Sequence, residues 1–344
     1  MDSKEQSQNI LGKLKVDRII PFLPLLAFSA AFLLLYFLDA SSFELMWKGR
    51  TFELFFIWLI AIELILGYGS LPTSEINKTA KTRLILFAVS LALPILYVAV
   101  SFYGGLNSAI TNISVQNNVQ WAKSMPLSIE YLAFALFFCL TLFLAFGKRG
   151  LTTFAIPVFF AALIGALYTI DNIFPYGQFT PFQIFVPTAA SIAQAIFNLM
   201  GYTTTLDSSQ TTTLQVSGAA GTAQFQIAWP CAGIESLLIF TVVVLLFLKR
   251  MPISWKAKVG FFAVGAIVTY FINIFRILNI FMIGMKYGVN SGQVQLFHFY
   301  YGPLISMTWI VAFPLILIFG LMLWQKHRTA KTANVENPKF QVSK

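Results

Sequence analysis

Three side chains in this 344-residue chain stand out by type and setting: Cys231, Arg276 and His298. Cys231 lies in Trp229-Pro230-Cys231-Ala232-Gly233-Ile234-Glu235-Ser236, where a Ser/Thr-rich stretch without Lys or Arg gives way to an apolar run. Pro230 suits the first position of a helix, so the sequence predicts Cys231 in a first turn. Free backbone N–H groups and the helix dipole lower a thiol's pKa there. A free cysteine is also a good small packing residue, which is the reading for Cys139, deep in an apolar run. Arg276 interrupts Phe271-Ile272-Asn273-Ile274-Phe275-Arg276-Ile277-Leu278-Asn279. A charge in such a run is costly and marks either function or a buried ion pair, with Glu53 or Glu235 as candidate partners. Asn273, Arg276 and Asn279 recur every three residues and predict one polar stripe. His298, in an aromatic patch, is either interfacial packing or a group for proton transfer near neutral pH. His327, the other histidine, falls in a basic tail. A thiolate, a general acid/base and a fixed cation are the parts of an acyl transfer. Glu235, four residues beyond Cys231, shares its helical face and could hold Arg276 or His298.

The elements that must bring these residues together are membrane helices. The chain is 58% hydrophobic and 10% charged, with a mean hydropathy of +0.76, more apolar surface than a soluble domain can hide. The net charge of +10 comes in short clusters between apolar runs, which reads as topological anchoring and not as a nucleic-acid surface. Runs long enough for a bilayer core fall at Ile19–Leu38, Phe52–Tyr68, Leu84–Tyr103, Ser128–Phe146, Leu151–Ile170, Ile234–Leu248, Val259–Met285 and Phe299–Trp324. With eight alternating spans, 18 of the 23 Lys and Arg residues share one side. The positive-inside rule makes that side cytoplasmic, together with both tails, 1–18 and 325–344. Cys231, the outer part of the Arg276 span and His298 then meet at one depth, on the outer face of the cell membrane. No cleavable signal peptide is evident in the charged start through Arg18.

The expected architecture is thus an all-α polytopic membrane protein, one integral-membrane domain over residues 1–344, with an extracytoplasmic insert at 171–230. Within the insert, 187–200 reads as an interfacial helix: about 14 residues cover only some 21 Å. Ser191, Gln194 and Asn198 share one of its faces, and Ile192, Ile196 and Leu199 line another. Alternation at Leu214/Val216 and Phe225/Ile227/Trp229 predicts a short β-hairpin over 213–229. Asn112-Ile113-Ser114 is a glycosylation sequon in a predicted outer loop. A secondary transporter would use Glu53, Glu63, Glu235 and Arg276 as intramembrane charges, but no inverted repeat is visible. A metalloprotease would need more ligands than one Cys and one His, and no His-Glu-x-x-His occurs; a serine protease would need an exposed Ser beside a His, and no Gly-x-Ser-x-Gly occurs. No metal or cofactor is expected. A structural scaffold would explain the hydrophobicity but not the aligned trio.

At these residues the chain resembles the exosortase/archaeosortase family of membrane-embedded cysteine transpeptidases. The likeness rests on Pro230-Cys231-Ala232-Gly233-Ile234-Glu235-Ser236, Asn273-Ile274-Phe275-Arg276 and His298, and covers most of residues 130–324. It implies Cys231 as nucleophile with Arg276 and His298 completing the catalytic set, and Glu235, Asn273 and Gly233 in support. It also implies substrates: secreted proteins ending in a short motif, one membrane helix and a basic cluster. A thioacyl enzyme would form, and a membrane lipid amine or another surface nucleophile would take the acyl group. Ala232 departs from relatives that have Ser or Thr there. A chain this compact would suit an archaeal enzyme of the family as well as a bacterial one.

Overall fold

The computed structural model describes residues 19–45, 48–67, 81–174, 183–208, 212–229 and 231–336. The Met1–Arg18 tail, most of the Ser70–Arg83 loop, Pro230 and residues 337–344 lie outside the described residues.

The chain is an all-α polytopic membrane protein with one small sheet. Helices α1 (Leu23–Leu38), α2 (Thr51–Gly67), α3 (Lys81–Phe102), α4 (Leu106–Gln116), α5 (Met125–Thr153) and α6 (Ala155–Ile173) come first. Next is α7 (Val186–Leu199), followed by strands β1 (Thr203–Asp207), β2 (Thr213–Gly218) and β3 (Gly221–Gln226). Then come α8 (Ile234–Arg250), α9 (Trp255–Tyr287), the short α10 (Gly292–Leu296) and α11 (Gly302–Glu336). Six of the described helical stretches are long and apolar enough to cross a bilayer: Ile20–Leu38, Lys81–Phe102, Ala122–Thr153, Ala155–Ile173, Trp255–Tyr287 and Gly292–Leu323. The other two expected spans, α2 and α8, have 17 residues each, about 25 Å of helix and the lower limit for a span.

Apolar side chains all round these helices leave aromatic packing to fix their arrangement. Phe28 of α1 meets Phe56 of α2 and Phe134 and Phe138 of α5 edge to face, with ring centroids 5.4–6.1 Å apart. Edge-to-face contact sets the positive rim of one ring against the negative face of another. The backbone of α5 leaves helical geometry at Gly147 (φ 61°), directly after the expected span end at Phe146, and a short further helical segment runs to Thr153. Because that φ is left-handed, a glycine is the residue that can occupy it without strain.

A second apolar cluster lies beneath the sheet, joining Ala189, Ala193 and Phe197 of α7 to Ile274, Ile277 and Phe281 of α9. The stripe of α7 that packs inward is therefore Val186-Ala189-Ala190-Ala193-Phe197. The expected apolar face is only partly used, since Leu199 is 88% exposed. Small alanines let α7 approach closely, which bulky Ile192 and Ile196 could not. The sheet has three antiparallel strands and not two: β1 pairs with β2 from Thr203↔Ser217 to Asp207↔Thr213. Leu214, Val216 and Ala223 point into the apolar cluster. Asn112 sits inside α4, where the Ser114 hydroxyl donates to the Ile110 carbonyl at 2.7 Å, so the sequon is helical and not an extended loop.

Candidate active site

The segment between β3 and α8 is pinned from both sides before it reaches Cys231. Trp229 is fully buried, and its amide donates to Gln183 Oε1 at 3.1 Å. Asn273 Nδ2 of α9 donates to the Cys231 carbonyl at 2.9 Å, tying the cysteine's backbone to the helix that bears Arg276. Gly233 stands as N-cap of α8 at φ 90°, and a Cβ there would come within 2.5 Å of Asn273 Cγ. Only glycine meets both demands. This left-handed turn also corrects an expectation: α8 starts at Ile234, so Cys231 lies ahead of the first turn and not within it. Ala232, 2% exposed, fills the apolar cluster beneath.

Three separate elements then converge on one cavity of about 270 Å³, lined among others by Cys231, Glu235, Arg276, His298, Asp171 and Trp121. Cys231 Sγ faces His298 Nε2 at 3.6 Å, within reach for proton transfer between sulfur and nitrogen. His298 lies in a π-helical turn, Phe297–Tyr301, a wide turn often found at functional sites. Its ring stacks on Phe299 at 4.7 Å and 14°. Arg276 Nη2 donates to the His298 main-chain carbonyl at 2.9 Å, so the cation fixes the backbone that carries the imidazole. Arg276 is 8% exposed and its Nε has no hydrogen-bond partner among the described residues. The alternative reading, an ion pair of Arg276 with Glu53 or Glu235, is not met among the described residues. Glu53 stands beside Arg50 and Glu130, while Glu235 lines the cavity without a hydrogen bond to Arg276 or His298 among those residues. Asn279 is not part of the site, for its amide returns to its own helix at the Phe275 carbonyl, 2.8 Å away.

The thiol is tuned in the direction opposite to expectation. Burial pushes Cys231 above its ordinary value. The Arg276 guanidinium and a hydrogen bond at Ala228 pull the other way without prevailing, and Glu235 and Asp171 add to the rise. The cause is the position just found: ahead of the helix and within the cavity, desolvation of the thiolate is the largest influence. Such a shift predicts a thiol that is protonated at neutral pH. Its alkylation by a neutral reagent such as iodoacetamide should keep accelerating past pH 9. A plateau reached by pH 7 would contradict this assignment.

A family model described as Transmembrane exosortase (Exosortase_EpsH) matches residues 47–320. The chain belongs to the transmembrane exosortase family. Neither the curated proteins nor the solved structures gave a match. Membership makes this exosortase a sorting-related transpeptidase in general terms, one that processes secreted proteins with C-terminal signals.

Two of this exosortase's cavity residues were not singled out from sequence. Asp171, near the end of α6, is buried and binds Lys48 Nζ at 2.9 Å. That ammonium lies 3.1 Å from the centre of the Trp121 ring, a cation–π contact. Burial lowers Lys48 to about 8, with Asp171 pulling the other way. Trp121 is held in turn by its amide, which donates to the Asn172 carbonyl at 3.2 Å. An acidic residue near a span end reads as an ordinary interfacial anchor, and its lysine partner comes from a distant loop, so no local signal paired them.

Proposed function

We propose that this exosortase is a cysteine transpeptidase that cuts the C-terminal sorting signal of secreted surface proteins through a thioacyl intermediate on Cys231. The observation that carries the reading is the 3.6 Å contact of Cys231 Sγ with His298 Nε2, inside a cavity that Arg276 also lines. His298 Nε2 takes the thiol proton as sulfur attacks the scissile carbonyl carbon, and the carbonyl oxygen becomes an oxyanion facing Arg276. Collapse breaks the C–N bond, and the imidazolium returns its proton to the departing amine. The membrane helix and basic tail leave with that amine. A lipid amine or another surface nucleophile then attacks the thioester, loses its proton to His298, and frees the Cys231 thiol.

Burial raises the Cys231 thiol, and burial together with Arg276 lowers His298 to about 4, so both shifts oppose proton transfer in the free protein and the transfer belongs to the substrate-bound state. Glu235 is proposed to steady the cavity's charge, Asn273 to hold the Cys231 backbone, and Gly233 to permit their close approach. The transporter reading finds no support in the arrangement of the charges: Glu63 pairs with Lys249 at 3.6 Å, at the end of the bundle opposite Cys231, so they form no continuous path.

We place the protein in the cell membrane with eight spans, both termini inside and this cavity facing outward, supported by the gathering of 18 of 23 basic residues on one side. A cysteine introduced at the exposed Thr205 should react with a membrane-impermeant maleimide in intact cells. Reaction only after permeabilisation would invert the topology. The function itself is tested by co-expression with a reporter ending in motif, membrane helix and basic tail. The reporter should lose its helix and tail only when this protein is present, and a reporter left intact would count against the proposal.

A further inference from the structure

A second cavity, about 490 Å³ in volume, lies at the same end of the bundle as Cys231 and is lined by Lys48, Arg50 and Lys123. Counting charges along the sequence leaves only four basic residues in the loops at that end: these three and Lys286. Three of the four therefore line one basin, the Lys48 ammonium itself being buried against Asp171 and Trp121. Two helices also begin at its wall. Asn107 and Ser108 belong to the first turn of α4, and Pro126 and Leu127 to the first turn of α5; all four line the cavity. Helix α4 has no side-chain hydrogen bond at its N-cap, so its first-turn N–H groups have no cap acceptor, whereas α5 continues the 3-10 turn Ala122–Ser124, with the Met125 N–H donating to the Ala122 carbonyl and Pro126 carrying no N–H. An open end such as that of α4 carries partial positive charge and binds phosphate groups.

Arg50 strengthens the case. Its side chain is 7% exposed and held rigidly: Nε and Nη2 donate to Glu130, and Nη1 to Asp39 and Ser42. A guanidinium has five donors, so one remains uncommitted among the described residues. Asp39, the acidic residue of the lining, is already engaged by Arg50 and by the Ser41 hydroxyl. Lys123 is exposed and has no ion-pair partner among the described residues. We infer that this basin is a binding site for a phosphate-type anion, distinct from the cavity that holds Cys231. The two are connected by a single side chain: Lys48 lines the basin while its ammonium binds Asp171 of the catalytic cavity.

Phosphate could come free in solution or on a lipid headgroup. Full-length protein in neutral nanodiscs is titrated with inorganic phosphate at constant ionic strength, and a parallel preparation receives phosphatidic acid as a minor lipid. Phosphorus NMR line width reports binding in both arms. We expect saturable binding in at least one, weakened about tenfold or more by Lys123→Glu, and unchanged by Lys286→Glu. Saturation with inorganic phosphate assigns a soluble anion; saturation by the lipid alone assigns a headgroup. Lys123→Gln repeats the comparison without a reversed charge, should Lys123→Glu fail to fold. No saturable binding in either arm, or equal binding by wild type and the Lys123 variants, overturns the inference.

Discussion

Replacing Cys231 with alanine should reduce processing of a sorting-signal reporter by about four orders of magnitude or more, leaving a folded protein. The expectation follows from position. The sulfur is the one thiol in the cavity and lies 3.6 Å from the imidazole, while the Ser236 and Ser306 hydroxyls that also line it make no hydrogen bond to His298 among the described residues. Removing a single sulfur atom from a half-buried site costs about 1 kcal/mol of stability, too little to unfold a bundle packed on two apolar clusters. Cys231→Ser should be almost as inactive, because a hydroxyl is far harder to deprotonate and is no better served by burial. Cys139→Ala is the internal comparison: Cys139 lies within α5, away from the cavity, and should leave processing unchanged. Normal processing by Cys231→Ala would remove the proposed mechanism altogether.

Arg276→Lys should lower the rate about 10²–10³-fold, the scale seen when one oxyanion-stabilising donor is lost. Arginine here performs two tasks at once. One arm of its fork, Nη2, grips the His298 carbonyl, while its buried Nε has no partner among the described residues. An ammonium on a flexible stem can serve one of these places and not both. The loss should fall on kcat with KM little changed, as for an interaction made in the transition state. Gly302→Ala offers a gentler form of the same test. A Cβ at Gly302 would sit 2.6 Å from Arg276 Nε, forcing the guanidinium to shift while its charge remains. Roughly tenfold slower turnover is expected from such a displacement. Full activity in Arg276→Lys would show that the cation is structural only.

The parts of the fold and site that were legible in sequence share one trait: they depend on residue types that are rare in their setting. Long apolar runs with basic clusters between them can hardly be anything but membrane helices, and charge inside such a run is conspicuous, which is how Arg276 came to notice. Cys231 and His298 were legible for the same reason, each being one of only two of its kind. What escaped depends on backbone detail or on distant pairing. Pro230 and the apolar run after it suggest a helix beginning at once, but Gly233 takes a left-handed φ and delays it, which moves Cys231 from a helix start into a desolvated pocket. Strand β1, Thr-Thr-Thr-Leu-Asp, has the β-propensity of threonine but a single apolar residue, so no alternation betrays it. Helix α7 packs through alanines that a hydropathy pattern underrates. Lys48, Asp171 and Trp121 are ordinary loop and span-end residues until the fold stacks them.

The central claim is that Cys231 carries the substrate as a thioester, and hydroxylamine interception tests it most directly. Purified enzyme is incubated with a substrate bearing motif, helix and basic tail, quenched in acid, and digested for mass spectrometry. An acyl adduct is expected on the peptide containing Cys231, none on the peptide containing Cys139, and conversion of the product to a hydroxamate when hydroxylamine is present. Turnover with Cys231 unmodified and no hydroxamate formed would contradict the claim.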